Sequence, residues 1–251
     1  MLEMRPLPIA TTLLLSALSW TTPRLAAQEL RTDLGGQRDS PEPAERKRAS
    51  SLQGAISASL RLLMIEHSAR IAFQPKTRQE LGGPFFSDYI RSLKMPETWG
   101  DGDSWPVNYL GHPIHGAAAG FIWLDQQDGS HDPALGFSKK YWASRGRATA
   151  WAAGYSLQFE IGPLSEASIG NVGLHPGTTG WVDHVVTPTG AFGFMVAEDA
   201  LDRYLIGRIE RWTSSRKLQM IARTVLNPSR ALSNAAQGRA LWFRASRPLR
   251  D

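Results

Sequence analysis

Residues 108–117 read NYLGHPIHGA, and residues 183–191 read DHVVTPTGA. In each stretch a short polar residue, Asn108 or Asp183, stands five positions before a proline, Pro113 or Pro188. A Gly-Ala pair follows, at Gly116-Ala117 or Gly190-Ala191, and Gly120-Phe121 and Gly193-Phe194 extend the parallel. A proline inside a helix removes one hydrogen bond and displaces the carbonyl four residues back, here those of Tyr109 and His184. Such backbone groups need partners, and small residues let two helix backbones approach closely. The repeated design predicts two kinked helices crossing at their glycines. Asn108, His112, Asp183 and His184 would then form a polar cluster near the kinks at Pro113 and Pro188.

Outward from these stretches the pattern stays helical. Leu52, Ile56, Leu60, Leu63, Ile65, Ile71 and Phe73 recur near helical spacing and predict a helix over residues 51–74, stopped by Pro75. Further helices are expected over 85–93, 106–126, 138–161, 181–212 and 214–226, with a short helical piece after Asn227-Pro228. Residues 163–180 read as a loop; irregular loops of that length are often functional. No segment has the alternation of a strand. The expected fold is all-α: a single bundle of about five or six helices with Pro-kinked, Gly/Ala-rich crossings.

The ends differ from the body. Arg5, the apolar run 9–20 and Leu25-Ala26-Ala27 have the layout of a secretory signal cut before Gln28. Residues 28–50 are charged and poor in large apolar side chains, the composition of a disordered linker. The helical domain is then 51–251. The chain has no cysteine, which removes disulfides, thiol catalysis, lipid attachment at cysteine and the usual structural zinc sites. From about residue 203 to the end there are eleven lysines and arginines against two acids, in a chain whose net charge is +5. For an exported protein of the periplasm or cell envelope, nucleic acid is not the expected partner, and no defined protein partner is legible. An anionic lipid surface or an acidic envelope component fits better. The candidate membrane-binding residues are Arg203, Arg208, Arg211, Arg216, Lys217 and Arg223, with Leu205, Ile206, Ile209, Trp212, Leu218, Ile221 and Val225 facing the bundle or the lipid.

The run Trp99-Gly-Asp101-Gly-Asp103, then Asn108-Tyr109, Gly111-His112-Pro113 and Gly116-Ala117, resembles a family of uncharacterised bacterial envelope proteins, a domain of unknown function. The likeness covers roughly residues 97–200, and Asn227-Pro228-x-Arg230 is similar too. It implies an envelope location and a helical core, and carries no activity.

The residues that could do chemistry are His112, His115, Glu160, Asp183 and His184, with Glu166 and His175 on the loop side. His112 and His115 would share a helix face. Glu160 stands near a helix C-terminus, where the dipole disfavours a carboxylate; it needs a partner, an arginine from the basic tail or one of the histidines. The motifs of zinc proteases and di-iron bundles are absent, so no metal or other cofactor is expected. Ser165 and Ser168 lack the nucleophile elbow of hydrolases. Asp101 and Asp103 read as a turn that caps the next helix. The leading expectation is a non-enzymatic envelope protein acting at an anionic membrane surface. The alternative is an envelope hydrolase or metal-dependent enzyme with a polar site at the kinks.

Overall fold

The computed structural model describes residues 43–73, 75–81, 84–127, 135–169 and 173–249. The chain divides between Lys47 and Arg48, and the helical bundle belongs to the second unit, Arg48–Asp251. Residues 1–27, read above as a signal, lie outside the described residues. So does the linker as far as residue 42, but its remainder, residues 43–50, is helical. Glu, Lys and Arg make the segment polar, and together with Ala they are also strong helix formers; Pro43 supplies a favourable first position.

The architecture is all-α. Helices α1 (Pro43–Phe73), α2 (Pro75–Glu80) and α3 (Phe85–Ser92) lead to a π-turn at Val107–Gly111 and to α4 (His112–Gln126). Then come α5 (Lys139–Ile161), α6 (Trp181–Ala200), a second π-turn at Leu201–Ile206, α7 (Gly207–Trp212), α8 (Arg216–Val225) and α9 (Pro228–Ala236). Ser138 caps α5 through its hydroxyl, which accepts from the Tyr141 N–H, and Ser215 caps α8 in the same way through the Leu218 N–H.

Helix α4 is the centre. From His115 to Ile122 every residue is buried, the mark of a helix enclosed on all sides. One side packs Ala118, Ala119 and Ile122 against Leu62 and Leu63 of α1 and Tyr155 and Phe159 of α5. The other packs Ala117 and Phe121 against Ala148 and Ala152 of α5 and Ala191 and Met195 of α6. The first helix turns differently from the face its large apolar residues define. Ala55, Ala58, Leu62, Leu63 and His67 point inward, while Leu52, Ile56 and Leu60 are exposed. Alanine and serine make this inward face close-fitting.

The two proline helices meet. A β-carbon on Gly190 would lie 2.5 Å from Pro113 Cγ, and one on Gly116 would lie 2.9 Å from Thr187 Cγ2 and 3.1 Å from Ala191 Cβ. Only hydrogen atoms fit there. The π-turn immediately before Pro113 is where the first helix absorbs the missing proline N–H. Pro188 lies inside continuous α6.

The far end of α6 holds an acidic pair. Asp199 accepts from Tyr141 (2.8 Å), from Arg145 (Nη2 at 2.7 Å) and from Arg230 (2.8 Å). Glu198 accepts the backbone N–H groups of Ser229 (2.8 Å) and Arg230 (3.1 Å), capping α9 from another helix. Arg230 also lies 3.9 Å over the Phe121 ring. The Asn227-Pro228-x-Arg230 stretch is thus the dock of the C-terminal segment onto α6.

The crossing predicts that Gly190→Ala overpacks by about 1–3 kcal/mol, lowering Tm by about 2–10 °C in a domain of this size. Gly193→Ala, three residues on with nothing within 4 Å of the added carbon, should be neutral or stabilising by up to about 1 kcal/mol. Thermal melts of the two variants check this.

Candidate functional site

The site is assembled at the start of α6. The backbone N–H groups of Trp181 and Val182 donate to the carbonyls of Thr98 (3.1 Å) and Trp99 (2.9 Å), which satisfies orphan donors of the helix N-terminus. Gly180 permits the approach, since a β-carbon there would lie 2.6 Å from the Trp99 carbonyl oxygen. This tie brings Asp101 beside Asp183. Asp101 Oδ1 accepts the Asp103 N–H at 3.1 Å, the expected Asp turn. It also accepts the Asn108 side-chain amide at 2.7 Å. Trp99 Nε1 donates to the Tyr109 hydroxyl at 3.0 Å, fixing the loop to the π-turn.

His112 stands between two carboxyls. Its Nε2 is 3.5 Å from Asp183 Oδ1, and its Nδ1 is 3.8 Å from Glu160 Oε1. The three side chains come from α4, α5 and α6, and the residues are 3–4 % exposed. His112 Nδ1, Glu160 Oε1 and Asp183 Oδ1 have no hydrogen-bond partner among the described residues. His115 lies along the same face with its Nδ1 3.7 Å from Glu66. Its ring packs edgewise on Phe159 at 4.7 Å.

Sequence reasoning missed the contribution of α1. Arg70 pairs with Glu166 and lies 3.8 Å from Asp103. Glu66 accepts the Tyr155 hydroxyl at 2.7 Å. His67 Nε2 meets the Leu164 carbonyl at 2.9 Å and its ring stacks on Phe159. Glu66 and His67 precede Arg70 by four and three residues, so one helix face delivers all three. That spacing was the available signal. The side chain beside Glu160 is a histidine, His112, at 3.8 Å and short of a hydrogen bond, with Arg70 of α1 adding charge.

The electrostatics follow from burial. Burial, and after it Arg70, lowers His112 to about 4, against the weaker pull of Asp101. Burial holds His115 well below its ordinary value, with the charges of His112 and Arg70 next. Glu160 and Asp183 are both raised, first by burial. Asp101 and Asp103 raise each of them further, Glu160 also raises Asp183, and Arg70 opposes the rise on Glu160. Asp101 resists the same burial because Asn108, the Asp103 N–H and Asp183 all hydrogen-bond to it, and it stays below the usual range.

Other expected residues lie elsewhere. His184 is beside Asp183 in sequence, but its ring meets Trp181 edge to face at 6.0 Å. His175 is exposed on the loop. Ser165 and Ser168 close a small turn on each other: each hydroxyl accepts the other's backbone N–H, at 2.8 and 3.2 Å.

The basic segment divides in two. Arg223 is not at the surface: it is 2 % exposed, with Nε donating to Glu210 at 2.7 Å and Nη1 to the Trp242 carbonyl at 3.2 Å. A buried guanidinium requires such a carboxylate. Arg244 and Arg247 likewise meet Asp202, and Arg247 also meets Glu210. Arg203, Arg208, Arg211, Arg216 and Lys217 are exposed, Arg203 donating to the Leu135 carbonyl. Among the apolar residues of the segment, Ile206 is buried, whereas Tyr204, Leu205, Trp212, Leu218, Ile221 and Val225 are exposed.

No protein-family model, no curated protein and no solved structure matches this chain.

Burial pushes Glu66 up from 4.5 to about 8, against the Tyr155 hydrogen bond and Arg70. The folded chain therefore holds this proton more tightly than the unfolded chain does. The resulting stability is fully present below pH 4.5 and is lost as pH rises through about 8. Glu66→Gln keeps an acceptor for Tyr155 and removes the titration. Its Tm should fall less than that of the parent chain between about pH 6 and pH 9, measured by circular dichroism. Parallel declines would show that Glu66 does not carry the effect.

Proposed function

We propose that this protein works at an anionic membrane surface of the cell envelope, docking through α7 and α8. The observation that carries this reading is the orientation of α8. An amphipathic helix on a water-facing surface buries its apolar stripe. Helix α8 instead presents Leu218, Ile221 and Val225 outward, 41, 58 and 67 % exposed, and turns Arg223 into the protein. These three residues are spaced by three and four, so they form one stripe.

The rim supports the same reading. Trp212, 82 % exposed, ends α7 immediately before the turn into α8. Tryptophan favours the boundary between headgroups and acyl chains. Arg208, Arg211, Arg216 and Lys217 flank it in sequence, and arginine suits phosphate through its forked donors. Among the described residues no helix is long and apolar enough to cross a membrane. The mode is therefore contact from one side, with an apolar stripe entering the interface and cations meeting the headgroups.

Each cation near an anionic surface contributes about 1 kcal/mol. Arg211→Gln and Lys217→Gln should each weaken binding to phosphatidylglycerol-containing vesicles by about fivefold. Ile221→Ser should weaken it without changing its salt dependence. Co-sedimentation at low and high salt provides the measurement, and equal retention on neutral and anionic vesicles would overturn the proposal.

A further inference from the structure

We infer that His112, Glu160 and Asp183 form a binding site for a divalent transition-metal ion of the manganese, iron or zinc class. This inference is independent of the membrane reading, since the site lies on α4, α5 and α6 and the docking face on α7 and α8.

Three observations carry it. The first is the donor set. One ligand atom from each of the three side chains lies within 4.8 Å of the others. With bonds of about 2.1 Å, ligand atoms of a tetrahedral ion stand about 3.4 Å apart. The side chains thus need a modest inward movement, and one separation, His112 Nε2 to Asp183 Oδ1, is already 3.5 Å.

The second is that the aimed atoms lack partners. Buried polar atoms in folded proteins are almost always hydrogen-bonded. Here His112 Nδ1, Glu160 Oε1 and Asp183 Oδ1 converge without a donor or acceptor among the described residues, on residues 3–4 % exposed.

The third is charge. Arg70 pairs with Glu166 and Asp103, and Glu160, Asp183 and Glu66 also act on its charge. One guanidinium is thus shared among several acids, and a divalent ion would add positive charge beside Glu160 and Asp183. An imidazole nitrogen beside two carboxylates favours manganese, iron or zinc over magnesium or calcium, which prefer all-oxygen shells. Only one ring nitrogen of His112 can ligate, so the site offers one nitrogen and two carboxylates. The ion would join three helices at one point and add its binding free energy to folding.

The test uses the full chain, purified, stripped with chelator and titrated with Zn²⁺, Mn²⁺ and Mg²⁺ by calorimetry and thermal melting. One equivalent of Zn²⁺ or Mn²⁺ should bind and raise Tm, with Mg²⁺ weaker. His112→Ala and Asp183→Asn should each lower the affinity by roughly 100-fold or more, while His184→Ala leaves it unchanged. Absence of stoichiometric binding overturns the inference, because protons would then satisfy the carboxyls. So does unchanged affinity in the two site variants, or preference for Mg²⁺. Should either variant fail to fold, crystals of the parent chain soaked in Zn²⁺ decide. An anomalous-scattering peak between the three side chains supports the site; a peak elsewhere, or none, removes it.

Discussion

The contact on which the rest depends is the backbone-close crossing of α4 and α6. Pro113 rests against Gly190, and Gly116 rests against Thr187 and Ala191, with no room for another carbon. Because the axes come this close, His112 at the start of α4 reaches Asp183 in the first turn of α6. Side chains as short as aspartate and histidine could not meet across helices separated by leucines. The crossing also fixes α4 as the enclosed helix, with α1 and α5 filling the remaining sides. Packing and polar chemistry are thus two results of the same small residues.

Much of this was legible in the amino-acid order. The paired proline and Gly-Ala spacings pointed to the crossing, where His112 and Asp183 approach each other, whereas Asn108 bonds to Asp101 and His184 turns to Trp181. Glu160 carried its own signal, a carboxylate at a helix end that disfavours it. The helical class followed from periodicity alone. What stayed hidden has physical reasons. The tie from Thr98 and Trp99 to α6 is made by backbone hydrogen bonds, and main-chain bonds leave no side-chain signature. The contribution of Glu66, His67 and Arg70 was masked because large apolar residues define a face of α1, and that face points outward. Its inward face mixes Ala55, Ala58 and Ser59 with Leu62 and Leu63, a weaker apolar pattern than the outward one suggests.

The basic segment teaches a related lesson. Charge counting treats its arginines as equivalent, but burial separates them into two kinds. Arg223, Arg230, Arg244 and Arg247 answer Glu210, Asp199 and Asp202 and belong to the fold. Arg208, Arg211, Arg216 and Lys217 lie at the surface. The distinction depends on acids as far away in sequence as Asp199, so local composition cannot supply it.

The dock of α9 onto α6 also bears on the order in which the molecule can be completed. Glu198 and Asp199 are buried acids whose partners include Ser229 and Arg230, well downstream in the chain. Until that late segment has left the ribosome, Glu198 lacks the two N–H groups it caps, while Asp199 has Tyr141 and Arg145 already at hand. A chain that stops before Pro228 therefore leaves Glu198 without its cap partners, and this end of the interior is completed only when α9 docks.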